Sequence, residues 1–365
     1  MSFPIRENRS RNFPSFNQPE VVGYFSLTGR EREYSQDLVQ LKYYYDQYGK
    51  QVHFDLDAGI NKVVRKPKDL NEKIDFLLRW ISNNHGSIRA NPGQDRLLKP
   101  DFVCFRGLLT KICTTPCESR DGWIICAAKF HGTIYLCAFD NDEQKLKNAH
   151  LTDRDLKFMS WGFKFEQYLL TDSPNASPNV KEPVNEAEEF CCLFSSKLGQ
   201  HALVFGAEMD GICSQDIVAE PVDWKKIKFV ELKTNKIIRT EWQNNNYKRK
   251  LLKWWCQSFL VGIDNVICGN RTERGIVCKL EDIKVSSMPK LAKNFWNASE
   301  CLNFCNDFLN HVKTVVVRDY NECIYKFEYK LKDEIEMQML PSSSELSFLP
   351  KWYVDQLNHI ANARD

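Results

Sequence analysis

The chain has 365 residues, enough for one large domain or two ordinary ones, and 43% of them are hydrophobic and 27% charged. This composition is ordinary for a soluble globular protein, and no run of about 18 apolar residues predicts a membrane-spanning helix. The net charge of +2 gives no overall basic field, so charge neither indicates nor excludes nucleic acid as a partner.

The cysteine pattern and the start of the chain bear on the compartment. Residues 1–7 are polar and lack an apolar core, so we predict no signal peptide, and we expect the 14 cysteines to be free thiols in a reducing compartment. Cys113 and Cys117 form one C-x3-C pair, and Cys301 and Cys305 form another. Zinc sites usually have tighter spacing, and no histidine pair accompanies these cysteines, so buried thiols are favoured over a metal site.

The first part of the chain predicts an arm followed by mixed elements. Residues 1–20 are polar and contain prolines, which favours a flexible N-terminal arm, and we expect residues 21–365 to form a single domain. The elements predicted here are a strand at 21–25, a helix through Leu38, Leu41 and Tyr44, an irregular segment at 54–65, and an amphipathic helix from about residue 69.

The rest of the chain alternates strands and helices. Strands are predicted at 102–105, 123–127, 133–139, 201–205, 227–230, 266–268 and 276–280, and a hairpin at 323–329 and 333–339. Helices are predicted at 153–170, 244–263 and 299–316 and from residue 352, and residues 172–183 contain three prolines and predict a surface loop. The pattern favours an α+β fold in which mixed β-sheets are flanked by helices.

The strongest chemical signal lies at the ends of two apolar runs. Glu208 and Asp210 follow the first run, and Glu231 and Lys233 follow the second. Residues two apart on a strand point to the same face, so two neighbouring strands would gather three carboxylates and one ammonium group. Surface strands also alternate polar residues, so the pattern alone is weak evidence, but its apolar flanks argue against a freely solvated strand.

Such a cluster of carboxylates has a definite chemistry. Like charges repel at short range unless they are protonated or bridged by a cation, and oxygen ligands suit Mg²⁺ or Mn²⁺. The signature resembles the Glu/Asp-x-Lys cores of metal-dependent nucleases, in which paired ions assist attack on a phosphodiester. Glu166, on a predicted helix, offers a fourth carboxylate, although for a single such residue a partly exposed position at the edge of the apolar stripe is the more usual interpretation.

A basic helix supplies a second feature. Lys250, Lys253, Trp254 and Gln257 fall on one side at helical spacing, while Leu251 and its apolar neighbours can face the core. Such a face is usually just solvated, but cations beside a neutral donor are also what a phosphate groove needs. The sequence contains no glycine-rich phosphate loop and no Gly-x-Ser-x-Gly elbow, so nucleotide kinases and serine hydrolases are disfavoured.

These motifs, in this order, resemble the eukaryotic decapping and exoribonuclease (DXO) family, which acts on incompletely capped RNA. The resemblance covers residues 21–353 and rests on the following segments: Phe105-Arg-Gly-Leu-Leu-Thr-Lys, Thr114-Thr-Pro-Cys-Glu-Ser-Arg-Asp-Gly-Trp, Gly162-Phe-Lys-Phe-Glu-Gln-Tyr, Glu208-x-Asp210, Val230-Glu-Leu-Lys-Thr and Lys250-Leu-Leu-Lys-Trp-Trp-Cys-Gln-Ser-Phe-Leu. The resemblance implies a PD-(D/E)xK-like nuclease core.

The resemblance also implies roles for particular residues. The implied metal ligands are Glu166, Glu208, Asp210, Glu231 and the carbonyl of Leu232, and Glu166, Asp210, Glu231 and Lys233 are the implied catalytic set. The implied substrate contacts are Arg32, Glu72, Phe105, Arg106, Gly107, Cys191, Glu208, Lys233 and Gln257. The family commonly has tryptophan where this chain has Phe105, which reduces the area for stacking and leaves substrate preference open.

The function implied by the resemblance is a hydrolase that needs Mg²⁺ or Mn²⁺, with two ions expected. It would remove incomplete caps, NAD caps or 5′-triphosphate ends from single-stranded RNA and then act as a 5′–3′ exoribonuclease in mRNA quality control. The alternatives are a non-catalytic RNA-binding partner that stimulates a separate 5′–3′ exoribonuclease, and a DNA nuclease built on the same core. The family resemblance implies that the protein lies in the nucleus, and a cytoplasmic location is also considered. We expect no membrane association, and by default we expect a monomer.

Overall fold

The structure is a computed structural model that describes residues 2–5, 11–67 and 70–363. In chain order its helices are α1 Asp75–Asn84, α2 Arg106–Thr114, α3 Asp142–Ala149, α4 Asp153–Leu169, α5 Glu241–Phe259, α6 Met288–Leu291, α7 Ala298–Val315 and α8 Lys351–Asn362. Its strands are β1 Ser2–Pro4, β2 Glu20–Thr28, β3 Glu33–Ser35, β4 Tyr43–Tyr44, β5 Phe54–Asp55, β6 Phe102–Phe105, β7 Trp123–Phe130, β8 Thr133–Phe139, β9 Leu170–Thr171, β10 Glu189–Leu198, β11 His201–Glu208, β12 Gly211–Cys213, β13 Lys228–Lys236, β14 Asn265–Arg271, β15 Ile276–Lys284, β16 Cys323–Tyr329 and β17 Glu334–Pro341.

The strands form two mixed sheets. The larger has ten strands in the order β1-β17-β16-β7-β8-β6-β11-β10-β2-β3, and the smaller has seven in the order β5-β15-β14-β13-β12-β4-β9. Most neighbours are antiparallel, but β6 lies parallel to both β8 and β11, and β13 lies parallel to β14. The predicted α+β architecture of mixed sheets flanked by helices is therefore confirmed.

Alternation along the strands of the larger sheet decides which face each residue buries. Phe102 and Cys104 of β6 face a core shared with α2, α5 and α7, whereas Val103 between them faces a second core covered by α1 and α8. A third core lies between α4 and the smaller sheet, where Phe165 packs with Val230 and Ile267. The helices adjoining the acidic segments thus rest on both sheets.

Two of the longest helices begin at residues that cap their free amide groups. Thr152 accepts a hydrogen bond from the amide of Asp155 at the start of α4, and the Asp155 carboxylate accepts one from the Thr152 amide. Thr240 and Gln243 make the same reciprocal pair at the start of α5. Each reciprocal pair stabilises a helix start by satisfying two backbone donors that the helix leaves unpaired.

Several predicted elements are confirmed, and one is wrong. The strands at 102–105, 133–139 and 323–329 match, as do the helices near 153–170 and 299–316. Residues 30–44 do not form a helix but a loop with the short strands β3 and β4. Gly29 and Arg32 have φ angles of 66° and 55°, so the chain turns left-handed there and the helical spacing of the apolar residues has no backbone to follow.

Other boundaries also differ from the sequence prediction. The predicted helix start at Asp69 lies outside the described residues, and α1 begins at Asp75. The helix α2 and the strand β10 were not predicted. Helix α2 is short and its four apolar residues do not define a clear period, and the apolar run of β10 does not by itself separate helix from strand.

The described part of the segment predicted as a flexible arm packs onto the domain. Ser2–Pro4 pairs with β17, and Phe13 and Phe16 stack against Phe259 of α5. Aromatic residues bury a large apolar area, which holds this otherwise polar segment in place. The single domain predicted for residues 21–365 stays a prediction.

The 14 cysteines are all free, and both C-x3-C pairs lie beside α2 and α7. Cys113, Cys301 and Cys305 are buried in the core, whereas Cys117 is exposed. Among the helices of the described residues, none is both long and apolar enough to cross a bilayer.

Candidate active site

The candidate site forms where the chain passes from the larger sheet to the smaller. Strand β11 ends at Glu208 in the larger sheet, and β12 begins at Gly211 in the smaller sheet. Asp210 lies in the crossing, where its Oδ2 accepts a hydrogen bond of 2.7 Å from the amide of Leu232 on β13. This contact joins Asp210 to the strand that carries Glu231 and Lys233.

The sequence prediction for these acids was right about their neighbourhood and wrong about its construction. Glu208 and Asp210 do not share one strand face, because β11 ends between them, and β13 neighbours β12 rather than β11. The chain can make this crossing because Gly211 has no side chain: a Cβ there would lie 2.7 Å from Cδ2 of Leu170 and 3.1 Å from the carbonyl oxygen of Lys42.

Glu231 is the most deeply buried acid of the site, with 1% of its side chain exposed. Lys233 donates a short hydrogen bond to its Oε1, and Nη1 of Arg106 lies 3.5 Å from its Oε2. Burial alone would raise the pKa of Glu231, but Lys233 and then Arg106 hold that pKa below its ordinary value. In turn Glu231 and Asp210 outweigh the effect of burial on Lys233 and raise the pKa of its ammonium group.

The other three acids line a pocket of about 250 Å³ together with Glu189 and Phe163. Desolvation, followed by the charges of Asp210 and Glu208, raises the pKa of Glu166 well above its ordinary value. Glu208 is exposed at the end of β11, and partial desolvation followed by the charge of Glu189 raises its pKa above its ordinary value. Desolvation and the charge of Glu231 raise the pKa of Asp210 to about 6. The four predicted carboxylates therefore share one electrostatic environment.

The donor set suits a hard divalent cation. The pKa values of three of these carboxylates, Glu166, Glu208 and Asp210, are raised partly by neighbouring acids, so a cation that neutralises them stabilises the site, and Mg²⁺ and Mn²⁺ prefer such oxygen ligands. In the described ranges, no three His, Cys, Asp or Glu side chains already stand as a closed ligand group. One reason is that two of the acids already have partners. Glu231 contacts Lys233 and Arg106, and Asp210 accepts a hydrogen bond from the Leu232 amide.

Phe105 and Arg106 are placed by the junction of β6 with α2. Strand β6 ends at Phe105, and Arg106 is the first residue of α2, with only 9% of its surface exposed. Besides its pair with Glu231, Arg106 donates from Nη1 to the backbone oxygen of Gln257 at 3.4 Å. The predicted residues Arg106, Gly107 and Gln257 are thus brought to the same side as the acids, Gly107 next to Arg106 in α2.

A glycine makes room for Phe105. In the parallel register of β6 and β11, Phe105 lies opposite Gly206. A Cβ on Gly206 would lie 2.8 Å from Cε1 of Phe105, which is closer than any real contact, so only glycine allows the ring to pack there.

The remaining predicted contacts lie at the strand next to Glu208. Cys191 of β10 pairs in register with Glu208 and is buried. Arg32 is 3% exposed and forms ion pairs with Glu72 at 2.5 Å and with Glu189 at 3.0 Å. The predicted residues Arg32 and Glu72 are therefore in direct contact, and Arg32 also binds Glu189 of β10, the strand that pairs with β11.

Two charged neighbours of the site were not predicted. Glu189 starts β10, pairs with Arg32 and acts on Glu208, and Lys66 lies 3.0 Å from Glu72 and 3.6 Å from Glu189. The available signal was the pair Glu188-Glu189 directly before the apolar run that forms β10, whereas Glu231 follows its apolar run. On the basic helix, Leu251, Leu252 and Trp255 are buried as predicted, but Trp254 is also buried rather than on the polar side.

The comparisons with known proteins agree with this geometry. A family model described as "RAI1 like PD-(D/E)XK nuclease" matches residues 17–354. The Decapping and exoribonuclease protein of Xenopus laevis is 34% identical over 361 residues, which covers 95% of this chain and 88% of that protein. The human protein of the same name is 34% identical over 355 residues, 94% of this chain and 87% of that protein.

Solved structures share the fold. Candida albicans Rai1 in complex with pU5-Mn2+ superimposes with a TM-score of 0.82 at 21% identity, covering 99% of both chains. Scheffersomyces stipitis Rai1 in complex with (3'-NADP)+ and calcium ion gives a TM-score of 0.83 at 20% identity, covering 98% of this chain and 100% of that chain.

A sheet that delivers Glu231 and Lys233 two residues apart beside Asp210 defines a hydrolytic nuclease of the PD-(D/E)XK class. Within that class the chain belongs to the RAI1-like nuclease family, whose model covers it from residue 17 to residue 354 and whose 34% identical relatives are named decapping and exoribonuclease proteins.

Proposed function

We propose that the protein is a divalent-metal-dependent hydrolase of RNA 5′ ends. It removes incomplete caps, NAD caps or pyrophosphate from single-stranded RNA and then degrades the RNA from 5′ to 3′, which is a quality-control activity on mRNA. The observation that carries the proposal is the meeting of Glu166, Glu208, Asp210 and Glu231 in one site beside Lys233. The names of the 34% identical relatives support the substrate class.

The cofactor in this proposal is Mg²⁺ or Mn²⁺, with two ions per site. The carboxylates of Glu166, Glu208, Asp210 and Glu231 and the carbonyl of Leu232 would hold them, and the Mn²⁺ named with Candida albicans Rai1 supports the choice. When bound, such ions activate the attacking water and stabilise the leaving oxygen.

The side chains of the chain itself position the RNA. Lys233 remains an ammonium group because Glu231 and Asp210 raise its pKa, so it offers fixed positive charge to the scissile phosphate. Gln257 adds a neutral donor to the same phosphate, and Arg106 binds phosphate near the 5′ end with Phe105 and Gly107 next to it. Arg32, Glu72 and Cys191 form the wall beside Glu208, where the terminal nucleotide would lie.

The test is a panel of RNA substrates with 5′-monophosphate, 5′-triphosphate, complete-cap, incomplete-cap and NAD-cap ends, incubated with and without Mg²⁺. We expect metal-dependent release of cap, pyrophosphate or nucleotides, and its loss in Glu231→Ala. Glu334→Ala, an exposed glutamate on β17, is the matched control and should leave the activity unchanged.

Two other outcomes contradict the proposal. RNA binding without turnover in any arm indicates the non-catalytic partner of a separate 5′–3′ exoribonuclease, an alternative that the complete acid set disfavours. Cleavage confined to single-stranded DNA indicates a DNA nuclease on the same core.

The proposal extends to the setting of the enzyme. We propose that the enzyme is located in the nucleus, with a second pool in the cytoplasm as an alternative. We also propose that it is a monomer that can bind a larger 5′–3′ exoribonuclease. Fluorescence imaging of the tagged protein tests the compartment, and light scattering of the purified protein tests the monomer. Exclusion of the tagged protein from nuclei, or a stable dimer, contradicts these points.

A further inference from the structure

A groove of about 940 Å³ lies on the outer side of α5, beyond the candidate active site. One wall is the exposed stripe of α5, and the other walls are the loop after α2 and the segment that precedes α7. Trp242, Asn246, Arg249, Lys250 and Lys253 of this wall recur at intervals of three or four residues, which places them on one face of the helix.

Among the described residues, the cations that line this groove have no acidic partners. Within the described ranges, no carboxylate forms an ion pair with Arg120, Arg249, Lys250 or Lys253. The two acids that also line the groove are already engaged. Three backbone amides of the loop donate to Glu118, and Asp121 pairs with Lys147 at 2.8 Å. The groove therefore presents an excess of positive charge to a ligand.

Aromatic rings stand among these cations. Trp242 is 72% exposed, the largest exposure among the exposed large hydrophobic residues of the described chain. Arg249 lies over the ring of Phe295, with 5.0 Å between the guanidinium carbon and the ring centroid, and Trp296 is fastened to α5 by a 3.0 Å hydrogen bond to the oxygen of Lys248. An exposed tryptophan on the same helix face as several cations suits a ligand with both phosphates and flat bases.

The groove leads towards the acids along α5. Lys250 donates to the backbone oxygen of Thr234, the residue after Lys233, at 3.1 Å. Gln257 lies two turns beyond Lys250 on the same helix, where its carbonyl accepts from Arg106. From Trp242 to Gln257 the helix rises about 22 Å, so the stripe forms a track that ends at the candidate active site.

We infer that this groove binds the single-stranded RNA behind its 5′ end, with a base stacked on Trp242 and phosphates on Arg249 and Lys253. The inference rests on the proposed function, since it assigns the path of the same substrate outside the catalytic pocket. Single-stranded RNA fits the groove better than an acidic protein segment, because stacking on an exposed tryptophan uses a base and the cations are spaced along a line.

The experiment compares wild type with Trp242→Ala and Arg249→Glu in two assays. Fluorescence anisotropy measures the binding of a labelled RNA of about 20 nucleotides in EDTA, where no cleavage occurs. Steady-state kinetics with Mg²⁺ then compare kcat/KM for that RNA with kcat/KM for a trinucleotide that is too short to reach Trp242. Trp352→Ala on α8 and Arg89→Glu, both exposed, are the matched controls.

We expect each groove variant to bind the long RNA about tenfold more weakly, while kcat/KM of Trp242→Ala for the trinucleotide equals that of wild type. For Arg249→Glu the slope of log Kd against log salt should also fall by about 0.7. Groove variants that bind the long RNA as tightly as wild type overturn the inference. The inference is also overturned if wild type binds a polyglutamate peptide tightly and the variants lose the binding of this peptide but not the binding of RNA. A wild type that binds RNA but releases no product with Mg²⁺ contradicts the proposed function and leaves the groove result to stand by itself.

Discussion

At the scale of single residues, the site depends on how closely β6 and β11 approach each other. Phe105 rests on Gly206, and the next residue, Arg106, reaches both Glu231 and the carbonyl of Gln257. A side chain on Gly206 would displace the ring of Phe105. Because Phe105 directly precedes Arg106 in the chain, Arg106 would shift with it. The position of Arg106 is therefore set from the strand behind it.

We predict that Gly206→Ala destabilises the protein by about 1–3 kcal/mol in urea unfolding, because overpacking forces the Phe105 ring out of place. The same change should raise KM for RNA, since Arg106 shifts with the ring. Gly162→Ala is the control, because a Cβ there meets nothing within 4 Å on a helix where alanine is the better helix former. Equal stability and equal KM in the two variants would contradict this account of Gly206.

The residue pattern gave the composition of the site but not its contacts. Three of the acids and Lys233 are readable from the spacing of polar residues after apolar runs, whereas the place of Glu166 came from the family resemblance. The pairing of Arg106 with Glu231 joins residues 125 positions apart, and no local period reports such a contact. Glu189 was missed for the same reason, because its partners Arg32 and Glu208 come from other elements.

At the scale of elements, Asp101 joins β6 to its neighbours. Its Oδ2 accepts from the amide of Ala202 beside β11 at 2.8 Å, and its Oδ1 accepts from Lys313 of α7 at 2.7 Å and from Arg96 at 2.9 Å. Its backbone oxygen accepts from Ile134 of β8 at 2.9 Å. One aspartate thus fixes the start of the strand that carries Phe105.

Partial burial alone would raise the pKa of Asp101, but hydrogen bonds from Lys313 and from the Ala202 amide lower it below its ordinary value. Because the folded pKa lies below the unfolded one, the carboxylate contributes stability above about pH 4, and this contribution is lost as pH falls through the folded pKa. We predict that Asp101→Asn lowers the free energy of unfolding by about 2 kcal/mol at pH 7, measured by urea titration.

The difference between Asp101→Asn and wild type should shrink as the pH is lowered below 4, because the wild-type carboxylate is then protonated as well. Asp142→Asn, whose carboxylate is fully exposed, serves as the control and should behave as wild type. A difference that stays constant from pH 7 to pH 3 would show that the charge of Asp101 is not what holds β6.

The elements that the sequence predicted well are those with local signals at both ends, such as a helix cap or a turn. The capped helix α4 and the strands bounded by turns at β7 and β8 were predicted close to their true limits. Residues 30–44 were not, because the left-handed turns at Gly29 and Arg32 depend on where the Arg32 side chain is buried. Tertiary contacts override the local helical spacing there.

At the scale of the whole molecule, the decisive feature is the passage of one chain segment between two sheets. Composition and periodicity predicted mixed sheets with helices, but neither the order of ten and seven strands nor the crossing at Asp210 is encoded locally. The near-neutral net charge likewise conceals an acidic pocket lined by Glu166, Glu208 and Asp210 and a basic groove along α5. Charge is separated within the fold rather than absent from it.

The proposed function requires the four carboxylates to bind divalent cations together. Isothermal titration calorimetry of Mn²⁺ into the protein tests it most directly, with Glu166→Gln and the exposed Glu345→Gln compared with wild type. We predict saturable binding to wild type and to Glu345→Gln, and at least a tenfold loss of affinity in Glu166→Gln, because one charged ligand becomes neutral. An isotherm for Glu166→Gln that matches wild type, or no saturable heat in wild type, would contradict the account.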